Sequence, residues 1–199
     1  RNPEAARAIG ESHWDICSHG WRWINHHALG EEEERSHIAR AALSIQRTTG
    51  KQPAGWYCRT GPGENTRRLV VEHGGFLYDS DAYNDEIPYW VTGFGKPHLV
   101  IPYTLVTNDT KFMRSAIATG EDFFTFLRES LDYLLSEGEP FGRMMSVGMH
   151  MRILGHPGRA AGLARFVDYV KDRKEVWICR RSDIAQHWMS HFPAPDVSA

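Results

Sequence analysis

Apolar runs of strand length alternate with helical patterns along the whole chain, and this alternation predicts βα repeats around a parallel sheet. Helical spacing opens over Asn2–Ile9, and the run Trp14–Ser18 reads as a first strand ending at His19. A helix follows over Glu31–Thr49, where Ile38, Ala41, Ala42 and Ile45 share one face of a 3.6-residue repeat and Gly50 supplies the stop. Pro53–Cys58 reads as a second strand ending at Arg59. Asn65 then caps a helix carrying Leu69 and Val70, Gly74–Gly75 closes it, and Phe76–Tyr78 is a short third strand ending at Asp79.

The stretch 80–119 is rich in Tyr, Trp, Pro and Gly, with one clear strand at Leu99–Ile101. So long a connection is expected to carry function, as a substrate-covering lid or an oligomer contact. A helix over Glu121–Ser136 aligns Phe123, Leu127, Leu131 and Leu134, with Gly138 as its terminator. Met144–Met149 reads as a strand ending at His150. A helix from Pro157 to Asp172 aligns Leu163, Phe166, Val167 and Val170, followed by a strand at Val176–Ile178 and a short helix from Ser182. His19, Arg59, Asp79 and His150 therefore each follow a predicted strand. In a (β/α) barrel the loops after the strands share one rim, where active sites are built, so these four are expected to converge there.

Composition narrows the partners. Hydrophobic residues make up 41% of the 199 positions, charged residues 24%, and the net charge is -2. Nucleic acid and anionic membranes both need a concentrated basic patch, and none is present, so neither is expected as a partner. No apolar stretch reaches the ~18 residues a membrane span requires. Three cysteines, Cys17, Cys58 and Cys179, each end an apolar run and cannot all pair, which suits buried thiols in a reducing, cytoplasmic compartment. A Cys/His nucleophilic pair involving Cys58 is the competing reading.

The segment Ser18–Trp23 carries the most chemistry. Side chains four apart on a helical turn point the same way, so a His-x-x-x-His spacing could hold a metal, but here His19 is followed four residues on by Trp23. An indole nitrogen only donates, so Trp23 cannot be a ligand. A catalytic zinc takes three protein ligands, and this segment supplies at most one. His26 and His27 lie beyond the first turn. The remaining histidines, His13, His37, His73, His98, His156, His187 and His191, show no ligand spacing and read as surface or packing residues.

Several motifs together resemble the metal-independent allantoinase branch of the polysaccharide-deacetylase (NodB-like) superfamily. They are Ile-Cys-Ser-His-Gly-Trp-Arg-Trp (16–23), Gly-Trp-Tyr (55–57), Asn-Thr-Arg-Arg-Leu (65–69), Phe-Leu-Tyr-Asp-Ser-Asp-Ala-Tyr (76–83), Pro-Tyr-Thr-Leu-Val-Thr-Asn-Asp (102–109), Met-Met-Ser-Val-Gly-Met-His (144–150), Pro-Gly-Arg-Ala-Ala (157–161) and Cys-Arg-Arg-Ser-Asp-Ile-Ala (179–185). The resemblance implies an α/β fold, a (β/α) barrel of the polysaccharide-deacetylase type. Residues 1–199 would be the C-terminal two-thirds of this single catalytic domain, with an irregular insertion at about 80–119. The six strand candidates fall short of a full barrel of about eight, so the barrel is expected to be incomplete, its N-terminal strands lying upstream of Arg1. That upstream portion would carry the Glu that completes a Glu-His-Trp set with His19 and Trp23. The implied activity is opening of a hydantoin ring, allantoin to allantoate, without metal or other cofactor, and the implied assembly is a homo-oligomer, a tetramer.

Ring opening of a cyclic amide needs an attacking water, a proton for the leaving nitrogen and donors for the oxyanion. His150 is the candidate acid/base, and His19 would orient the ring carbonyl or the water. Trp23 would wall the pocket, and Arg59 would steady the oxyanion, although the Arg59–Glu64 loop departs in length from the family pattern. Asp79, Asp81, Tyr83 and Asn108 would hydrogen-bond a cyclic ureide or imide, or else set their loops, as Asp109 would by forming a turn. Three alternatives stay open: a deacetylase of chitin or peptidoglycan, a cyclic imide hydrolase, and a non-catalytic protein of deacetylase fold.

Overall fold

The computed structural model describes residues 2–59, 61–114, 116–137 and 142–196, so the predicted terminator Gly138 lies outside the described residues. Two compact units are present, one formed by Arg1–Pro102 with Cys179–Ala199 and the other by Tyr103–Ile178.

In the first unit, helix α1 (Pro3–Glu11) starts where the Asn2 side chain accepts from the Ala5 N–H at 3.2 Å. Helix α2 (Glu31–Thr49) opens with four glutamates beside its positive dipole end and stops at Gly50, whose φ of 74° suits glycine. It buries Ile38, Ala41 and Ala42. Helix α3 (Thr66–His73) ends at Gly74, but Asn65 does not cap it. The Asn65 side chain accepts from Arg68, and Thr66 Oγ1 instead takes the Gly63 N–H at 2.8 Å.

Strands β1 (Cys17–Ser18), β2 (Gly55–Trp56), β3 (Tyr78–Asp79), β4 (Tyr89–Val91) and β5 (His98–Val100) form one sheet in the order β1-β2-β3-β5-β4. All neighbours are parallel except β4, which runs antiparallel to β5. Hydrogen bonds such as Ala54 N–H to the Ile16 carbonyl and Ser80 N–H to the Trp56 carbonyl carry the pairing past the formal strand ends. β4 lies inside the stretch read as irregular. Its residues gain strand geometry only through pairing with β5, and local propensity does not announce it. Trp56, Cys58, Leu69 and Val70 pack on Ile38 and Ala41 as the core of this unit. Helix α7 (Arg181–His191), with Asp183 reaching back to the Arg180 N–H at 2.9 Å, completes it.

The second unit is mainly helical: a 3₁₀ turn at Asp109–Arg114, then α4 (Gly120–Ser136), α5 (Met151–Leu154) and α6 (Pro157–Val170). Thr119 and Asp122 form a reciprocal capping box at the start of α4. Phe112, Phe123, Leu127, Leu131, Ile153, Leu154 and Phe166 form its core. Two predicted strands are absent. Met144–Met149 makes a single parallel bridge, Gly148 to Asn108, and Val176–Ile178 makes none. Met145, Val147 and Val176 pack against the helical core instead. An apolar run becomes a strand only where a neighbouring backbone offers its N–H and C=O groups.

Helices α4 and α6 touch backbone to backbone. A Cβ at Gly162 would lie 2.1 Å from the Gly120 carbonyl oxygen, and one at Gly120 would lie 2.2 Å from that of Gly158. Gly162→Ala should therefore lower stability by about 2 kcal/mol despite its better helix propensity. Urea unfolding measures this, and unchanged stability would show that the two helices do not pack so closely.

Candidate active site

The loops after β1, β2 and β3 build a polar cluster at the carboxyl end of the sheet. His19 follows β1. Its Nδ1 lies 2.6 Å from the Tyr57 carbonyl, and its ring stacks on Tyr57 with centroids 5.2 Å apart and planes 6° from parallel. A carbonyl only accepts, so Nδ1 bears a proton, and in the neutral ring Nε2 is the acceptor. Tyr57 also meets Tyr83, hydroxyl to hydroxyl at 2.9 Å, so His19, Tyr57 and Tyr83 form one exposed aromatic rim. Gly20, at φ 86°, permits the sharp exit from His19, and a side chain there would collide with His26.

Asp79 and Asp81 stand two residues apart and are treated very differently. Asp79 is 1% exposed and sits at the end of β3 rather than beyond it. Its oxygens accept from Arg67 Nε and Nη2 at 2.8 and 3.1 Å, from His98 Nε2 at 3.1 Å and from the Asp81 N–H at 2.9 Å. Burial would push Asp79 up, but the hydrogen bonds from His98 and Arg67 outweigh it and hold the carboxyl below the usual range. These bonds engage both oxygens with the protein, so Asp79 builds the loop frame instead of presenting itself to a ligand. Asp81 is 6% exposed. Its Oδ1 accepts the Cys58 N–H at 2.7 Å, while Oδ2 is buried with no hydrogen-bond partner among the described residues. Burial first, and then the charge on Asp79, push Asp81 up to about 7.

Trp23 is 58% exposed, and the Arg59 guanidinium lies 4.2 Å from its ring centroid as a cation–π pair. Arg59 Nη1 also donates to Asn25 at 3.1 Å. A metal at the His19–Trp23 turn would thus meet one imidazole, an indole that cannot ligate and a fixed positive charge. Among the described residues no group of three or more His, Cys, Asp or Glu is placed to hold an ion. His26 does not substitute, being buried with Nδ1 3.0 Å from Glu34, which also accepts from Thr66. The donor set present does not fit a catalytic metal. Cys58 is no nucleophile either. It is buried, it accepts from Trp56 Nε1, and burial pushes its thiol far up.

His150 and Asn108 belong to the second unit. Asp109, fully buried, accepts the His150 Nδ1–H at 2.7 Å on one oxygen and the His150 backbone N–H at 2.6 Å on the other. Its own N–H donates to the Gly148 carbonyl at 2.9 Å. Asn108 is occupied with Tyr103 and with the Thr110 N–H, which makes it a turn residue. The roles of Asp109, Tyr57, Arg67 and His98 escape sequence reading. Their partners lie 41, 38, 12 and 19 residues away, and no local spacing marks them. Arg181 escapes it too, although it donates to Ser80 and to the Ile101 and Pro102 carbonyls at the ends of β3 and β5.

The two aspartates have opposite linkage. The folded value of Asp81 lies above its unfolded 3.8, so its contribution is complete below 3.8 and is lost as pH rises towards 7. Asp79, held below 3.8, contributes above that value and loses its contribution in acid. Asp81→Asn should therefore gain stability relative to the unsubstituted protein between pH 5 and about 8. Urea midpoints that move in parallel for the two proteins would contradict this.

The polysaccharide deacetylase family model matches residues 1–78. A Schizosaccharomyces pombe protein carrying a provisional polysaccharide deacetylase name is 36% identical over 215 residues, covering 97% of this chain and 66% of that protein. Among solved structures, PuuE allantoinase has a TM-score of 0.90 and 47% identity, covering 97% of this chain and 65% of that one. A probable polysaccharide deacetylase from Pseudomonas aeruginosa PAO1 has a TM-score of 0.91 and 48% identity over the same shares. The chain spans just under two thirds of the length of these relatives. By these matches and by its α/β fold with a largely parallel sheet, the chain belongs to the polysaccharide deacetylase family.

Proposed function

We propose that this chain supplies the acid/base machinery of a metal-independent hydrolase that opens a cyclic amide, with allantoin-like ureides as the leading substrate class. The observation that carries this reading is the Asp109–His150 dyad. A carboxylate that binds both Nδ1–H and the backbone N–H of one histidine fixes its tautomer and ring orientation and stabilises the imidazolium. His150 Nε2 can then take a proton from an attacking water and return it to the leaving nitrogen. Similarity to PuuE allantoinase and the indole at the second position of the His-x-x-x-Trp turn favour a cyclic ureide handled by proton transfer alone. In the first unit, His19 is held as the Nδ1–H tautomer, so Nε2 is the atom that would accept a donor from water or from the ring. Trp23 and Tyr83 offer exposed aromatic surface suited to a flat ring.

A deacetylase acting on N-acetylated sugars is the second reading, favoured by the 48% identity to the Pseudomonas protein. The same dyad would protonate the leaving amine there. The full-length protein, assayed with allantoin, a cyclic imide and an acetylated sugar oligomer, separates the two. Under the first reading allantoate forms at an unchanged rate in the presence of a chelator. Activity that is lost to the chelator and restored by zinc would overturn it. His150→Ala should lower kcat by at least about a hundredfold, and Asp109→Asn by at least about tenfold through the wrong tautomer. Near-normal turnover in His150→Ala would remove the dyad from the mechanism. A homo-oligomer, specifically a tetramer, is part of the same proposal, and sedimentation of the full-length protein tests it.

A further inference from the structure

One peptide group in the first unit is hydrogen-bonded at both ends by side chains of the candidate site. The carbonyl of Tyr57 accepts the Nδ1–H of His19 at 2.6 Å, and the N–H of the same peptide, that of Cys58, donates to Asp81 Oδ1 at 2.7 Å. A negative charge at the N–H end of an amide draws the proton and shifts electron density onto the carbonyl oxygen, so the two hydrogen bonds strengthen each other. We propose that Asp81 is a positioning residue for His19, acting through the Tyr57–Cys58 peptide to hold the Nδ1–H tautomer and raise the basicity of Nε2. The arrangement is a carboxylate–histidine pair with an amide inserted between the partners. Its importance for turnover rests on the proposed hydrolytic role of His19, but the coupling is a property of the resting protein.

Three features make the relay rigid. The His19 ring lies flat on Tyr57, so it cannot swing off the carbonyl without breaking the stack. The Asp81 backbone is pinned on both sides, its N–H to Asp79 Oδ1 at 2.9 Å and its carbonyl to Arg67 Nη2 at 3.0 Å. The carboxyl itself is buried, and the peptide joins it to the exposed imidazole. The groups that face Asp81 are Asp79, Arg67 and the thiols of Cys58 and Cys17. With burial and Asp79 pushing Asp81 up to about 7, the charge on the relay changes within the neutral range.

The test is nuclear magnetic resonance of the full chain with nitrogen-15 in backbone and histidine rings. In the unsubstituted protein, the His19 nitrogens should report the Nδ1–H tautomer, and they should move with the Cys58 amide proton at a common midpoint as Asp81 titrates. Asp81→Asn keeps an acceptor for Cys58 but removes the charge. It should abolish that shared step at the His19 nitrogens and the Cys58 amide, while the His150 nitrogen shifts stay where they were. Identical His19 nitrogen shifts at every pH in the two proteins would overturn the coupling. If the substituted chain does not fold, the unsubstituted one decides: a Cys58 step with no matching step at His19 refutes the relay. Absence of turnover on every cyclic amide and acetylated sugar would sink the hydrolase reading and leave these resonances untouched.

Discussion

An ionised carboxylate shut away from water must be matched by fixed donors, and at the end of β3 two aspartates compete for the donors available. Asp79 takes the Arg67 guanidinium, the His98 imidazole and the Asp81 N–H. Asp81 accepts the Cys58 amide and stands beside the negative Asp79, and what Cys58 and Arg67 offer it does not offset its burial. One therefore holds its charge and the other is driven towards neutrality by the same burial. The consequence is structural before it is chemical. Arg67 from α3 and His98 from β5 are drawn to β3, and Asp81 ties the end of β2 to the loop after β3, so these loops have little freedom to move.

His19 and His150 each have Nδ1 bound to an oxygen, but the oxygens differ. His19 binds a carbonyl, which sets the tautomer with only partial charge to stabilise an imidazolium. His150 binds a buried carboxylate, which does both. That difference suits His150 to moving a proton and His19 to accepting a hydrogen bond, and it follows from the acceptor chemistry rather than from exposure, since both rings are accessible.

The His-x-x-x-Trp turn makes the same point about electrostatics. An indole stands four residues after the imidazole and cannot ligate, and Arg59 lies on its face, where its charge is welcome to the ring and hostile to a divalent ion. The allantoinase structure at 47% identity and the structure called a probable polysaccharide deacetylase at 48% are equally similar to the chain, so overall likeness does not choose between the chemistries.

Sequence periodicity by itself determined the long helices. α2, α4 and α6 obey a 3.6-residue rule that is local, and the stops at Gly50 and Gly74 follow from backbone conformations that glycine alone adopts without strain. It also marked His19, Trp23 and His150 as side chains worth watching, because residue type and position after an apolar run are readable in one dimension. Strands were only partly readable. Met144–Met149 and Val176–Ile178 have the composition of strands but no ladder, while Tyr89–Val91 has a ladder in a stretch that looks irregular. Tertiary structure alone decided that Asp109 serves His150, that Asp79 is consumed by Arg67 and His98, and that one peptide links Asp81 to His19. Each of these is a hydrogen bond across 12 to 41 residues, and a hydrogen bond is set by distance in space, which no spacing along a chain encodes.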